Sequence, residues 1–300
     1  MNTRQSVPIP IFGLVLFIAF AWGSGWPVMK LVMTEMAPMH MRSFCLAIGA
    51  AALFAYAQAS GQGIRVAAGS RLRLVYIALA NLGAWNVLAV YGITMIGAAR
   101  ASILCYTIPV WTALLGRWFL NEQLTPRRLL GVGLGLLAVL LLLGNDIRAV
   151  RGSPLGAMMV IGAAIGWAAS LIMMRKWSID LPTSSFTAWQ TLITIVPVGS
   201  IALFFEQGSF SPLGLSTWPF WGLMYLLCTS ILSNWAWTKI ALTVPPAVSS
   251  ISTLLTPVVA VFTSALVIDE QPQWIDYAAL TLVVSAMATV LFPSRKRDPT

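Results

Sequence analysis

Charge is scarce in this 300-residue chain: Asp, Glu, Lys and Arg together make up only 9% of it. A water-soluble domain carries about 25%. So few charges cannot cover a water-facing surface, and a soluble globular protein is excluded. Acid is scarcer still, with nine carboxylates against eighteen Lys and Arg. Glu35, Glu122, Asp146, Asp180, Glu206, Asp269, Glu270, Asp276 and Asp298 all fall in loops or near helix ends. An ionisable group inside a bilayer is costly and functional by default. The expectation is therefore movement of substrate without a midplane Asp/Glu proton relay. Histidine occurs once, as His40, and the three cysteines Cys45, Cys105 and Cys228 stand far apart with no CxxC spacing. These residues offer no metal-ligand set and no disulfide framework. No metal or cofactor is expected, and the cysteines read as small apolar side chains packed between helices. A lipid-modifying membrane enzyme would want clustered catalytic groups near one interface. The sequence supplies none, so a non-enzyme is expected.

What is abundant is apolar surface: 58% hydrophobic residues and a mean hydropathy of +0.83. The net charge of +9 would suggest nucleic acid in a soluble protein. Here no basic stripe interleaves with aromatics, and the excess reads as cytoplasmic loop charge. A spanning helix needs about 20 mostly apolar residues. Ten runs qualify: 11–33, 38–58, 72–95, 98–119, 127–144, 154–175, 183–205, 217–239, 244–267 and 274–292. The first run lacks a small-residue cleavage motif and reads as a retained helix. Counting Lys and Arg on alternate sides leaves four on one side, Arg42, Arg100, Arg148 and Arg151, and thirteen on the other. Positive charge marks the cytoplasm, so both termini are expected there, at a bacterial inner membrane.

The chain also contains one stretch twice. Ala99 to Gln123 and Ala247 to Gln271 superimpose at a constant offset of 148 residues, matching Ser102 with Ser250, Pro109 with Pro257 and Glu122 with Glu270. The expectation is an all-α integral membrane protein of ten transmembrane helices, in two inverted five-helix repeats around a central cavity. The units are residues 1–148 and 149–300. Five is odd, so the second unit enters the membrane from the opposite side. Inverted repeats are a transporter signature, with the substrate site near the midplane between them. Nothing in this arrangement requires an oligomer.

Candidate site residues follow from spacing. Asn81 and Trp85 lie four apart on one helical face, with Asn86 beside them. Ser230, Ser233, Asn234 and Trp237 form a second stripe. An amide in hydrocarbon needs a partner, so these faces line either the bundle interior or a cavity. Trp22, Trp85, Trp167 and Trp237 sit deep in their runs and read either as an aromatic wall for a planar substrate or as core packing. Ser24 and Tyr106 join them as cavity candidates. Trp218, Trp221 and Trp274 sit at helix ends and read as interface belts. Pro109 and Pro257 each free a backbone carbonyl and mark a break or gate. Lys30 and Arg42 are placed near the outer mouth, either meeting a substrate carboxylate or anchoring at the interface. Glu122 and Glu270 either cap the helix that follows each or form alternating gates at opposite mouths.

Several of these residues fall into ordered motifs. Ala21-Trp22-Gly23-Ser24 lies in the first run; Pro38 and Arg42 open the second. Phe119-Leu120-Asn121-Glu122 and Val267-Ile268-Asp269-Glu270 follow the proline-containing helices, and Gly166-Trp167 echoes the first motif. In this order and spacing the chain resembles the drug/metabolite transporter superfamily, specifically its EamA-type exporters, and within them the YddG-type aromatic amino acid exporters. The resemblance spans nearly the whole chain. It implies export of aromatic and other neutral amino acids by alternating access, with small-molecule substrates and the lipid bilayer as the only partners. The alternative it leaves is broader efflux of drugs or organic metabolites, with or without proton coupling. A passive channel is the rival of another class.

Overall fold

In a computed structural model the chain is described over residues 9–121, 126–145, 153–207, 211–243 and 246–291. Both termini, Glu122, Arg148 and Arg151 lie outside the described residues. Within them the fold is helical throughout. The ten helices are α1 (Ile9–Val32), α2 (Pro38–Ala59), α3 (Ala68–Ile96), α4 (Ala98–Phe119) and α5 (Pro126–Asn145), then α6 (Pro154–Lys176), α7 (Thr183–Phe204), α8 (Thr217–Thr243), α9 (Pro246–Ile268) and α10 (Trp274–Leu291). Each falls within a few residues of an expected run. By length and composition α2, α3, α4, α6 and α7 can each cross a bilayer, and α1, α5, α9 and α10 contain shorter apolar stretches. The surface is apolar as a lipid-facing one must be: Leu140, Val196, Leu203, Phe204 and Leu266 are all exposed. Trp218, Trp221 and Trp274 are also exposed at helix starts, as interface belts would be. Cys45 and Cys105 are buried between helices, but Cys228 is exposed, which corrects its expected packing role.

The packing repeats under exchange of the halves. α1 packs on α8 and α9; its counterpart α6 packs on α3 and α4. α2 packs on α7, α4 on α9 and α5 on α10, so each of these helices meets its own counterpart. Local backbone repeats too. Asn121 (φ 54°) and Asp269 (φ 51°) are the two non-glycine residues with positive φ among the described residues, and they are 148 positions apart. Asparagine and aspartate tolerate that conformation better than most side chains. It turns the chain out of α4 and out of α9 in the same way.

Two helices depart from ideal form, and both carry candidate site residues. α3 runs π-helical over Leu79–Gly83 and again over Trp85–Ala89. Such bulges are rare and occur often at functional sites. The Asn86 side-chain amide donates to the Leu82 carbonyl at 2.7 Å, the acceptor that an α-helix gives to the Asn86 backbone N–H. α4 is broken at Tyr106 and Thr107, and Pro109 stands in the first turn of its second part, Ile108–Phe119. Proline has no N–H and clashes with the preceding turn. Its counterpart Pro257 lies inside α9, which runs unbroken from Pro246 to Ile268. Matched prolines thus sit in unmatched helices.

Candidate substrate site

Six aromatic rings form one continuous chain across the molecule. Tyr106 meets Trp26 (centroids 6.4 Å apart), Trp26 meets Trp85 (5.4 Å), Trp85 meets Trp167 (5.2 Å), Trp167 meets Trp22 (6.4 Å) and Trp22 meets Trp237 (5.4 Å). The rings come from α1, α3 and α4 of the first half and from α6 and α8 of the second. Most pairs are edge-to-face, the geometry favoured by the ring quadrupole. All five expected aromatics are therefore brought together. Trp26, the link between Tyr106 and Trp85, is not among them. It lies one turn beyond Trp22, the spacing that puts both on one face of α1.

The polar candidates surround this chain. The Tyr106 hydroxyl faces Thr256 of α9, and its ring meets Trp26. Ser24 is buried; its hydroxyl is 2.6 Å from that of Tyr225 on α8 and donates to Phe20 O. Asn81 is buried and its side-chain oxygen has no hydrogen-bond partner among the described residues. Asn86 is also buried. Asn234 is half-buried in α8, one turn from Trp237.

Arg42 is 8% exposed, inside the bundle, which speaks against the interface anchor among its expected roles. Its Nε donates to Asn86 Oδ1 at 2.5 Å, and Nη1 lies 3.9 Å from Met29 Sδ. The first turn of α2 turns this side chain inward, to Met29 of α1 and Asn86 of α3.

Of the described acidic residues, Glu35, Glu206, Asp269, Glu270 and Asp276 lie where α1, α3, α7 and α9 end and α2, α4, α8 and α10 begin. Four links there join the two halves, and the charge count expects this face outside. Glu206, just past α7, accepts from the Met39 and His40 backbone N–H groups (2.9 and 3.1 Å) and from the Tyr91 hydroxyl (2.7 Å), and lies 3.4 Å from His40 Nδ1. Glu270 accepts from the Ala98 and Ala99 N–H groups (3.2 and 3.4 Å) at the start of α4, with Lys30 Nζ 4.0 Å away. Arg100 Nε donates to Asp276 Oδ1 at 3.0 Å. Glu35 accepts from the Ser216 N–H at 2.7 Å and from its hydroxyl. Carboxylates at helix N-termini satisfy orphan donors and complement the dipole. Glu270 thus caps a helix, but one of the other half rather than the one that follows it. Gly97 makes room for it. Its φ is +85°, and a Cβ there would collide with the Glu270 carboxylate. At the opposite face α7 is tied to the α2–α3 loop, where Ser184 donates to Gln62 and Trp189 Nε1 donates to Ile64 O at 2.8 Å. The α2–α7 pair is therefore fastened at both ends.

The Ser216 hydroxyl, and then its N–H, hold the Glu35 carboxyl below its ordinary value of 4.5. A lowered carboxylate pKa stabilises the folded link above the unfolded value, and that contribution disappears as pH falls through the folded value. As pH falls through that lowered value the two loops are expected to separate. Limited proteolysis at pH 7 and through a descending acid series checks this: the wild type should become cleavable in acid, and Glu35→Gln should be cleavable throughout. Equal cleavage of the wild type at every pH would refute the link.

Comparison with known proteins adds to this geometry. A Bacillus subtilis protein, the uncharacterized transporter YoaV, is 22% identical over 265 residues, which is 86% of this chain and 88% of that one. An Escherichia coli protein named as a probable amino-acid metabolite efflux pump is 24% identical over 300 residues, 95% of each chain. A solved crystal structure superposes with a TM-score of 0.66 at 19% identity, over 94% of this chain and 98% of that one, which shows the fold. One family model matches twice, over residues 10–144 and 154–292, and by both matches this chain belongs to the EamA-like transporter family.

Proposed function

We propose that the chain exports aromatic and other neutral amino acids across a bacterial inner membrane by alternating access, in a facilitative, uniport-like cycle. The observation that carries this reading is the six-ring aromatic chain. It offers edges and faces to a planar side chain, and it crosses between the halves that alternating access must move. The π-helical run of α3, which holds Trp85, supports a functional rather than a purely structural role. The efflux role in the name of the Escherichia coli relative agrees in substrate class. The finer kinship with YddG-type exporters belongs to this proposal. So do the two units 1–148 and 149–300, with both termini in the cytoplasm. Among the described residues no Asp or Glu lies in the interior of a helix near the aromatic chain, which supports movement down a gradient. In this reading the four links at the Glu270 face form the outer gate.

Uptake of labelled phenylalanine into proteoliposomes preloaded with unlabelled phenylalanine is the test. Accelerated counterflow without a pH gradient is expected. Strict dependence on a pH gradient would overturn the facilitative cycle. No phenylalanine flux from folded protein would remove the amino acid assignment, and flux without counterflow would favour a channel.

A further inference from the structure

Four carboxylates at the Glu270 face are committed elsewhere. Glu206 serves the start of α2 and Tyr91, Glu270 the start of α4, Asp276 serves Arg100, and Glu35 serves Ser216. Arg42 lies about one turn into α2 from the Glu206 cap, yet receives none of them. Among the described residues no carboxylate pairs with it. A guanidinium carries five N–H donors in a planar fork. One goes to Asn86 Oδ1 and one approaches a thioether, a weak acceptor; no other acceptor among the described residues meets the rest. Burying a cation without an anion is costly. A protein keeps such a group when something else supplies the negative charge.

A second orphan lies close in sequence. Asn81 Oδ1 is buried and unpartnered. Asn81 and Asn86 are five residues apart, at the two π-helical segments of α3. Hydrogen bonds from i to i+5 stack positions five apart, so the bulge brings the two amides toward one face. Trp85 lies between them in sequence, against Trp26. Met29, which touches Arg42, is one turn from Trp26 on α1. An unpaired cation, an unpaired acceptor and aromatic surface are thus grouped on three neighbouring helices.

We propose that Arg42 is the carboxylate anchor of the substrate site. The ligand class is an α-amino monocarboxylate with an aromatic or apolar side chain. Its carboxylate takes the guanidinium fork, displacing Asn86 Oδ1, which holds the fork in the empty protein. Its ammonium donates to Asn81 Oδ1, and its side chain lies against Trp26 and Trp85. This deepens the amino acid reading above and rests on it.

The test uses the purified full-length protein and thermal stabilisation by four probes: phenylalanine, phenylalaninamide, 3-phenylpropionate and phenethylamine. Phenylalanine is expected to bind at least about tenfold more tightly than its amide, the scale of a lost charge-assisted bond. Arg42→Gln should abolish that difference. Arg42→Lys, which keeps the charge and loses the fork, should retain only part of it. Asn86→Asp should hand Arg42 an internal carboxylate, raising the melting temperature of the empty protein and weakening phenylalanine about tenfold or more. Equal binding of acid and amide by the wild type would overturn the anchor and leave the transport reading standing. Binding of 3-phenylpropionate alone, lost in Arg42→Gln, would keep the anchor and overturn the amino acid class. Binding of neither acid would overturn both. Should Arg42→Gln fail to fold, the wild-type probe series and Arg42→Lys decide alone.

Discussion

Replacing Glu206 by alanine is expected to lower the stability of the protein by about 3–5 kcal/mol, the range seen when a buried, charge-assisted network loses one member. The size follows from what the carboxylate holds. Pro38 begins α2 and has no N–H, so the first free donors of that helix are those of Met39 and His40. Both reach Glu206, and so do the Tyr91 hydroxyl and His40 Nδ1. The Glu206 side chain is only 8% exposed, so water replaces it poorly. The cost therefore includes stranded donors as well as lost bonds. Glu206→Gln keeps the shape and one acceptor, and should cost about half as much. The apparent thermal midpoint in detergent, at matched scan rate, is the readout. A change under about 1 kcal/mol for Glu206→Ala would refute the cap.

Trp26→Ala should rank beside it, at about 3–5 kcal/mol, because a buried indole leaves a cavity that helices cannot collapse to fill. Trp26 is 1% exposed, and its two ring contacts, to Trp85 and Tyr106, add about 0.5–1.5 kcal/mol each. Trp22→Ala, at a half-buried position, should cost less stability. In transport the two should act alike. Losing Trp26 detaches Tyr106 from the other rings, and losing Trp22 detaches Trp237, so each should weaken the apparent affinity for phenylalanine. Phenylalanine counterflow at permissive temperature checks this. Full retention of the apparent substrate affinity in both variants would show that the ring chain is core packing.

The helices were legible because each apolar run is long and ends in Pro, Gly or charge. The expected and observed starts of the second, fourth, sixth, seventh, eighth and tenth coincide. The repeat was legible because it is written in identities at fixed spacing, down to the positive-φ pair at Asn121 and Asp269. The π-helical run of α3 was not, since no residue type between Leu79 and Ala89 demands it. It goes with the close approach of Ala80, Ala84 and Leu88 to Gly162 and Gly166 of α6 and with the Asn86 amide bond to Leu82 O. Nor could sequence tell Pro109 from Pro257, although only the first stands at a break. For Arg42 the sequence left a substrate contact and an interface anchor open, because it follows Pro38 so closely, and only the packing of α2 against α7 and α8 shows it turned inward. Glu206 looked like ordinary loop charge. Its partners are more than 110 positions away, beyond anything local pattern reveals. The site is therefore legible where it is aromatic and repetitive, and hidden where it depends on long-range capping.

The link between Glu270 and the start of α4 bears on how the carrier came to rest. Two identical halves would give two end states of equal free energy, each the mirror of the other. These halves are no longer identical. The offset of 148 that carries Glu270 to Glu122 also carries Ala98 to Pro246, Arg100 to Val248 and Asp276 to Arg128. A mirror-image latch would meet a proline where Glu270 meets an amide, and would have valine and arginine where Arg100 and Asp276 pair. It would be the weaker of the two, and every 1.4 kcal/mol of difference is tenfold in population. In the alternating-access cycle proposed above, the repeat supplies the two states, and these few differing residues set the equilibrium constant between them, and so the side of the membrane on which the empty protein waits.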